Sequence, residues 1–184
     1  MSSPAYYATV DTSIGPFTAI ETDGTVLASG WTSTIVDLMG VIHPTLRPVD
    51  PVLRTELGDV TKAILQYHDG DLTAVDAIPV RQKSGPFLLT AWDALRGVPP
   101  GAAITYTEYA RLAGNPVAIR AAASACARNA AALFVPCHRV LRQDGTLGGF
   151  RWGVQIKRWL LDHEASDRGW PGEGYRADEA RTDV

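Results

Sequence analysis

The sequence lacks the features of a membrane-inserted or exported protein. No apolar stretch among its 184 residues approaches eighteen residues in length, and residues 1–7 contain no basic segment followed by an apolar one. Neither a membrane span nor a signal peptide is therefore predicted. The two cysteines, Cys126 and Cys137, lack C-x-x-C spacing and are too few for a disulfide framework. We expect a cytoplasmic protein that has no membrane partner.

Motifs for cofactors and metals are also missing. No cofactor-binding motif is visible, and we expect no cofactor. The N-terminal half contains His43 and His68 but no cysteine, whereas structural zinc sites favour combinations of Cys and His. We therefore predict no metal site and interpret both histidines as surface residues.

Charge is nearly balanced overall but unevenly distributed. The formal net charge is −3, yet residues 105–160 carry eight Arg or Lys against Glu108 and Asp144, a net of +6. Binding to duplex nucleic acid depends strongly on neutralising phosphates. The pattern fits a basic, nucleic-acid-facing half on an acidic body, although a solvated basic face would give the same sequence.

Three short segments near the N-terminus have the composition of β-strands. Residues 6–10, 17–20 and 25–31 are rich in β-branched and aromatic residues, and they predict an antiparallel meander. Apolar residues at helical spacing then predict a helix that Pro51 opens and Asp69-Gly70 ends. These apolar residues are Leu53, Leu57, Val60, Ile64 and Tyr67.

Composition divides the chain into three parts. Residues 1–83 are expected to form an α/β domain in which a helix packs on a small antiparallel sheet, and residues 79–86 are a plausible linker. Residues 84–166 are expected to form a mainly helical domain. Residues 167–184 are polar, contain several Gly and Pro and have no apolar period, which predicts a disordered tail.

The C-terminal domain contains start signals for two short, neighbouring helices. Thr105 and Glu108 have the spacing of a capping box, which should start one helix. Asn115 with Pro116 after it should cap the next helix, which extends to about Arg128. Two short helices joined by a glycine-containing turn are typical of a helix-turn-helix.

The helix that extends to about Arg128 is alanine-rich and offers few long side chains to read base edges. Its inferred core face comprises Ile119, Ala122, Ala123 and Cys126, and we interpret Cys126 as structural. The low bulk suits a narrow groove, but alanine-rich helices are also simply good helices that pack closely.

A cysteine followed by a histidine is the strongest chemical signal. Residues 136–140, Pro-Cys-His-Arg-Val, follow the apolar run 130–135, which we interpret as a buried strand, and precede a turn at residues 142–145. A neighbouring imidazole can lower the pKa of a thiol and populate the nucleophilic thiolate. Taken alone the dipeptide is weak evidence, because many single cysteines are small buried hydrophobic residues. A final helix with apolar residues at helical spacing carries Glu164 near its end.

From Phe87 to Glu164 the order and spacing of these motifs resemble the O6-alkylguanine-DNA alkyltransferases, also called methylated-DNA-protein-cysteine methyltransferases. Residues 150–153, Phe-Arg-Trp-Gly, look like the form found in bacterial adaptive-response alkyltransferases. The resemblance implies an α+β fold. In that fold a ribonuclease-H-like N-terminal domain precedes a mainly helical, winged helix-turn-helix domain.

The resemblance also implies a reaction and its residues. Cys137 would accept the alkyl group from O6 of guanine, with O4 of thymine less favoured, irreversibly and once per molecule. His138 would act as its base through a water, and Glu164 would orient the imidazole. Tyr106 would donate a hydrogen bond to the guanine. Asn129 would hold the turn; the usual Asn-Pro is replaced here by Asn-Ala, which leaves the loop shape open.

For DNA, the resemblance implies a monomer that binds double-stranded DNA containing O6-alkylguanine through the minor groove. Arg120 would fill the stack that the flipped nucleotide leaves. The other implied DNA-binding residues are Thr105, Ala121, Ser124 and Arg128. The implied substrate pocket comprises Tyr106, Val140, Phe150, Arg151 and Trp152.

Two alternatives come from other classes of protein. A non-catalytic, alkyltransferase-like protein would bind the lesion without transfer, but that group replaces the nucleophile that Cys137 provides here. A thiol hydrolase could use Cys137 and His138, yet the sequence shows no evident oxyanion loop.

Overall fold

The computed structural model describes residues 3–165 and begins with the predicted antiparallel meander. Strands β1 (Tyr6–Thr12), β2 (Gly15–Thr22) and β3 (Thr25–Gly30) pair consecutively. After the short helix α1 (Val36–Met39), strand β4 (Val52–Leu53) adds to β1 in the parallel direction. The strand order is β3-β2-β1-β4. Because β4 runs parallel to β1 while the other pairs are antiparallel, the small sheet is mixed.

Helix α2 (Asp59–His68) begins eight residues after Pro51, and its predicted start was wrong. Backbone N–H groups of Val52 and Arg54 donate to carbonyls of residues 5 and 7, so this segment is held in the sheet and Leu53 stays exposed. The rest of the predicted stripe faces the core, where Ile64 and Tyr67 are fully buried. The helix ends at the Asp69-Gly70 pair, as predicted.

The segment interpreted as a linker is fixed to the edge of the sheet. Val26 N–H donates to Pro79 O at 2.9 Å, and Arg81 N–H donates to Val26 O at 2.9 Å. Residues 79–81 therefore pair with β3 through a parallel bridge before helix α3 (Pro86–Arg96) begins.

Helices α4 (Tyr106–Leu112) and α5 (Ile119–Ala127) form the predicted pair around a glycine turn. The capping box between Thr105 and Glu108 is present, and Gly114 has a φ of +90°, which glycine adopts without strain. Helix α5 starts later than predicted. Asn115 instead closes a turn: its Oδ1 accepts from Val117 N–H at 3.3 Å, and the N-cap position is Ala118.

The face of α5 that packs inward also differs from the prediction. Ala122 and Ala125 are fully buried, whereas Ile119 remains 40% exposed. The helix begins at Ile119, so that side chain lies at an open end where few neighbours can cover it.

Strands β5 (Ile104–Thr105) and β6 (Val140–Leu141) form a short parallel pair, and helix α6 (Val154–Ala165) ends the described part of the chain. Phe17 and Ile64 from the first half share one core with Trp92 and Leu160 from the second. Within residues 3–165, no helix is both long and apolar enough to cross a membrane. The predicted tail, residues 167–184, lies outside the described residues.

Candidate active site

The apolar run before Cys137 is a buried turn, so its interpretation as a strand was wrong. Ser29 N–H donates to Ala130 O at 2.9 Å, and Ser29 Oγ donates to Ala132 O at 2.8 Å. Only the start of the run thus pairs with β3, and Val135 N–H then turns back to Ala131 O at 2.9 Å. Leu133 takes a φ of +74° at the bend. Pro136 and Cys137, which follow the turn, lie in the protein interior.

Asn129 ties both ends of this turn together. Its Nδ2 donates to Val135 O at 2.8 Å and to Cys137 Sγ at 3.2 Å. Its Oδ1 accepts from Gln82 Nε2 at 2.9 Å. Gln82 Oε1 in turn accepts from Ala130 N–H at 2.8 Å, a bond that a proline at this position could not make. Sequence reasoning missed Gln82, since it lies in the segment interpreted as a linker.

Cys137 is a buried thiol at the start of a 3₁₀ turn (Cys137–Arg139) and is 9% exposed. Burial raises the pKa of Cys137, and the amide of Asn129 and the charge of Lys157 oppose that rise only in part. The expected lowering of this pKa was therefore wrong for the resting protein. A thiol in this setting rests protonated, and it would need a base in order to act as a nucleophile.

His138 and Glu164 form a buried pair. Nε2 of His138 lies 2.7 Å from Glu164 Oε1, and both side chains are essentially inaccessible. Burial would raise the pKa of Glu164, but His138 and Arg139 reverse the effect and hold it well below its ordinary value. Burial lowers the pKa of His138, against the opposing attraction of Glu164.

This geometry selects one tautomer of the neutral imidazole. With Glu164 ionised, Nε2 of His138 is the nitrogen that donates to it. Nδ1 of His138 is then the basic nitrogen, and it is buried without a hydrogen-bond partner among the described residues. An imidazole oriented in this way can accept a proton while the carboxylate stabilises the resulting cation.

Three buried polar residues around this pair were not identified from the sequence. Tyr67 OH donates to Glu164 Oε1 at 2.6 Å, and Arg139 donates to both carboxylate oxygens through Nε. Lys157 Nζ donates to Val140 O at 2.8 Å. A signal existed for Tyr67, which lies on the predicted buried stripe of α2, and for Lys157, which precedes Leu160 by one helical turn.

A cavity of about 410 Å³ lies beside Cys137. Four of the predicted pocket residues line it, namely Tyr106, Phe150, Arg151 and Trp152. Burial raises the pKa of Tyr106 to about 12, so its hydroxyl stays protonated and can donate.

Two residues near this cavity differ from expectation. Val140 is fully buried and absent from the cavity wall, because β6 directs it into the core. Cys126 lines the same cavity as Cys137 and is only partly buried, so it is not simply a core residue. Burial raises its pKa strongly.

The residues implied for DNA binding lie along α4 and α5. Arg120 and Arg128 are exposed, and Ala121 and Ser124 are half-buried. Thr105 is half-buried, and its hydroxyl accepts from Glu108 N–H.

The basic excess of this region is smaller at the surface than in the sequence. Arg139 and Lys157 are buried, so six of the eight cations between residues 105 and 160 are at least partly accessible. Against exposed Glu108 and Asp144, the accessible excess is about +4 rather than +6, still sufficient to favour phosphate contacts.

The interpretation of His68 as a surface residue was wrong. It is 7% exposed, and its Nδ1 lies 2.7 Å from Ile64 O. Its Nε2 accepts from Trp31 Nε1 at 3.3 Å. His43 is half-buried. In the part of the chain that the structure describes, no group of three or more His, Cys, Asp or Glu could hold a metal ion.

Comparisons of the sequence with known proteins all indicate the same family. Residues 86–166 match the family described as "6-O-methylguanine DNA methyltransferase, DNA binding domain". The methylated-DNA–protein-cysteine methyltransferase of Shigella flexneri is 35% identical over 123 residues, which cover 67% of this chain and 72% of that protein. The bifunctional transcriptional activator/DNA repair enzyme Ada of Escherichia coli is 42% identical over 120 residues. This match covers 65% of the chain but only 32% of Ada, so the chain spans about a third of that relative.

Solved structures resemble the whole described fold. The Mycobacterium tuberculosis O6-methylguanine methyltransferase superposes with a TM-score of 0.71 at 26% identity, covering 97% of this chain and 99% of that one. The M. tuberculosis OGT in complex with DNA gives a TM-score of 0.68 at 27% identity, covering 88% and 93%. The α+β fold expected from the sequence is therefore confirmed.

Proposed function

This chain belongs to the methylated-DNA–protein-cysteine methyltransferases, which are DNA-binding repair enzymes, and from that premise we propose that it removes alkyl groups from O6 of guanine. The alkyl group moves irreversibly to Cys137, once per molecule. O4-alkylthymine is a less favoured substrate. The observation that carries the proposal is the Cys137 thiol, which lies beside a cavity of about 410 Å³ and is followed by a histidine bonded to a buried carboxylate.

In the proposed reaction His138 removes the proton from Cys137 through a water. The thiolate attacks the alkyl carbon in line, so that an S–C bond forms while the C–O bond to guanine breaks. The electron pair of that bond moves onto the guanine, which then takes up a proton. Tyr106 donates a hydrogen bond to the guanine as this charge develops, and its raised pKa keeps the donor proton in place.

Asn129 and Glu164 position the reacting groups. The Asn129 amide donates to the sulfur at 3.2 Å, and this contact is stronger for a thiolate than for a thiol. Glu164 accepts hydrogen bonds from Tyr67 and Arg139 as well as from His138, so it stays ionised and stabilises the imidazolium that forms.

We also propose that the substrate is a nucleotide flipped out of double-stranded DNA into this cavity, because an alkyl carbon inside a stacked duplex is out of reach of any side chain. Helix α5 docks in the minor groove, where its small side chains Ala121 and Ser124 allow close approach. Arg120, exposed on the same helix, fills the vacated stack. Thr105 and Arg128 contact the backbone.

The division of the chain follows from these roles. Residues 84–166 carry the DNA-binding helices and the nucleophile, and residues 1–83 form a body that supports them through Tyr67 and Gln82. We propose that one molecule suffices for the reaction. A cytoplasmic location agrees with two cysteines that form no disulfide, since the nucleophile must stay reduced.

One assay tests the proposal against its alternatives. The protein is incubated with a duplex that carries O6-methylguanine labelled in the methyl group. We expect the label to move to the protein. Label that stays on tightly bound DNA would support a non-catalytic lesion-binding protein, and neither binding nor transfer would support a different thiol chemistry.

A further inference from the structure

A second cavity, of about 320 Å³, lies next to the one that contains Cys137. Arg151 lines both cavities. The other walls come from the loop after α1, from the linker segment at residues 81–83, and from the residues that follow α5, Arg128 and Ala130. The two halves of the chain thus enclose it together.

The charged residues that line the second cavity are all cationic. Among the described residues, no Asp or Glu lines it. Its five charged lining residues are Arg47, Arg81, Lys83, Arg128 and Arg151. The whole chain has a formal net charge of −3, so this is a local concentration of positive charge on an acidic protein. Like charges repel, and a concave surface of one sign attracts an oppositely charged ligand.

The segments that carry these cations are held in place. The backbone of Arg81 is bonded to β3, and Gln82 is bonded on both sides to the loop at Asn129 and Ala130. Arg47 Nη2 donates to Ile42 O at 2.9 Å, and Arg151 Nη2 donates to Ala127 O at 2.6 Å. A site built in this way loses less entropy when a ligand binds.

We propose that this cavity binds a backbone phosphate of the DNA strand that carries the lesion. The inference rests on the proposed function: Arg151 lines both cavities, so a strand whose nucleotide enters the Cys137 cavity has the second cavity next to it. From there it can continue along the second cavity towards Arg81 and Lys83. Arginine and lysine are the side chains that contact phosphodiester oxygens most often. The N-terminal half would then be a DNA-binding element in its own right.

The test compares two double variants that remove the same charge. Arg81→Gln/Lys83→Gln neutralises two cations of the second cavity. Arg54→Gln/Lys62→Gln removes one exposed Arg and one exposed Lys outside either cavity. Affinity for a lesion-bearing duplex and for the same duplex without the lesion is measured at several salt concentrations, and the melting temperature confirms folding. Each phosphate contact contributes about 0.9 to the slope of log affinity against log salt concentration.

We expect the slope to fall by about 1 to 2 for Arg81→Gln/Lys83→Gln on the lesion-bearing duplex, and to change much less for Arg54→Gln/Lys62→Gln. Equal slopes for the two variants would overturn the site. A single uncharged methylphosphonate linkage, moved along the lesion strand, identifies the phosphate. When the uncharged linkage replaces the contacted phosphate, the native protein should lose affinity for the duplex. Arg81→Gln/Lys83→Gln should bind that duplex no more weakly than it binds the duplex with the unmodified linkage.

Two further arms separate the sources of phosphate and the two proposals. Should pyrophosphate raise the melting temperature of the native protein but not of Arg81→Gln/Lys83→Gln, with equal DNA slopes, the site would bind free phosphates and the DNA assignment would fail. Transfer of the labelled methyl group from the O6-methylguanine duplex is measured separately. Its absence in the native protein would contradict the proposed function, while the slopes on unmodified duplex would still decide whether this cavity contacts DNA.

Discussion

At the residue scale, the role proposed for Cys137 requires a side chain that is both shielded from water and reactive. Shielding comes from burial, which raises the pKa of Cys137 and leaves few thiolates at rest. Reactivity must therefore come from a base that is itself neutral. His138 meets that requirement, because burial lowers its pKa and its Nε2 is committed to Glu164.

The first prediction concerns Cys137→Ser. It should abolish alkyl transfer and retain binding to lesion-bearing duplex, because a serine hydroxyl has nearly the same shape but is far harder to ionise. Transfer is followed with labelled duplex, and binding by gel shift. Transfer near the native level would contradict the assignment, as would label on the peptide that contains Cys126.

The second prediction is that acid destabilises the protein in two steps of the same sign. The pKa of His138 is lowered by burial, so the unfolded chain takes up a proton below about pH 6.5 that the folded chain refuses. The pKa of Glu164 is also held low by His138 and Arg139, so stability is lost again below about pH 4.3. Urea midpoints across this range should fall as pH falls. A His138→Gln variant should show a smaller first step, because His68, whose pKa is also lowered by burial, still contributes to it, whereas His43→Gln should keep the whole step.

The chemistry at this scale was accessible from sequence only where residues adjoin or match a known pattern. Cys137, His138 and Glu164 were identified because their spacing is characteristic. Arg139 was counted among the surface cations, yet it lies inside the protein and bonds to Glu164. Its partner is 25 positions away in the chain, and nothing local distinguishes a buried arginine from an exposed one.

At the element scale, local end signals predicted some helix starts correctly and others wrongly. The capping box fixed the start of α4 at Tyr106. By contrast, Pro51 suggested a helix start although residues 52–53 pair with β1. Residues 130–135 were interpreted as a strand because they are apolar, but a single strand edge at Ser29 captures only the first of them. In both segments, hydrogen bonds to a strand distant in sequence determine the structure. Such pairing cannot be recognised from the local sequence.

The third prediction concerns Arg120 on α5. Arg120→Ala should strongly reduce repair of a lesion in a duplex but change reaction with free O6-benzylguanine little, since a free base needs no flipping. Arg111→Ala, which removes an exposed arginine of α4, is the matched control and should affect duplex repair less. Equal losses on the duplex and on the free base would show that Arg120 serves the chemistry or the fold instead.

The fourth prediction concerns the contact between β3 and the cavity wall. A Cβ added at Gly30 would overlap the ring of Trp152, whereas one at Gly40 would meet no atom within 4 Å. Gly30→Ala should therefore destabilise the fold by about 1 to 3 kcal/mol and slow transfer to Cys137. Gly40→Ala should do neither. Chemical denaturation and the rate with free O6-benzylguanine measure the two effects, and similar behaviour of both variants would refute the contact.

At the scale of the whole molecule, the candidate active site belongs to both halves of the chain. Tyr67 from α2 bonds to the carboxylate of α6, and Gln82 bonds to the turn before Cys137. The sequence predicted two domains and placed the chemistry in the second. The shared core and these contacts show why changes at Cys137 should be felt by the fold as a whole.

The last prediction is that the protein is consumed by one reaction and loses stability in it. The product is an S-alkyl thioether on Cys137. Cys126 lines the same cavity, but a thioether does not exchange with a thiol, and burial raises the pKa of Cys126. The alkyl group also displaces the 3.2 Å contact from Asn129 and adds bulk to a packed site, each costing on the order of 1 to 3 kcal/mol. In a domain of this size each kcal/mol lowers the melting temperature by about 2 to 4 °C.

With excess methylated duplex, transfer should stop at one methyl group per chain, located by mass spectrometry on the Cys137 peptide. Turnover beyond one equivalent would contradict the mechanism, and an unchanged melting temperature would contradict only the argument that the alkylated site is less stable.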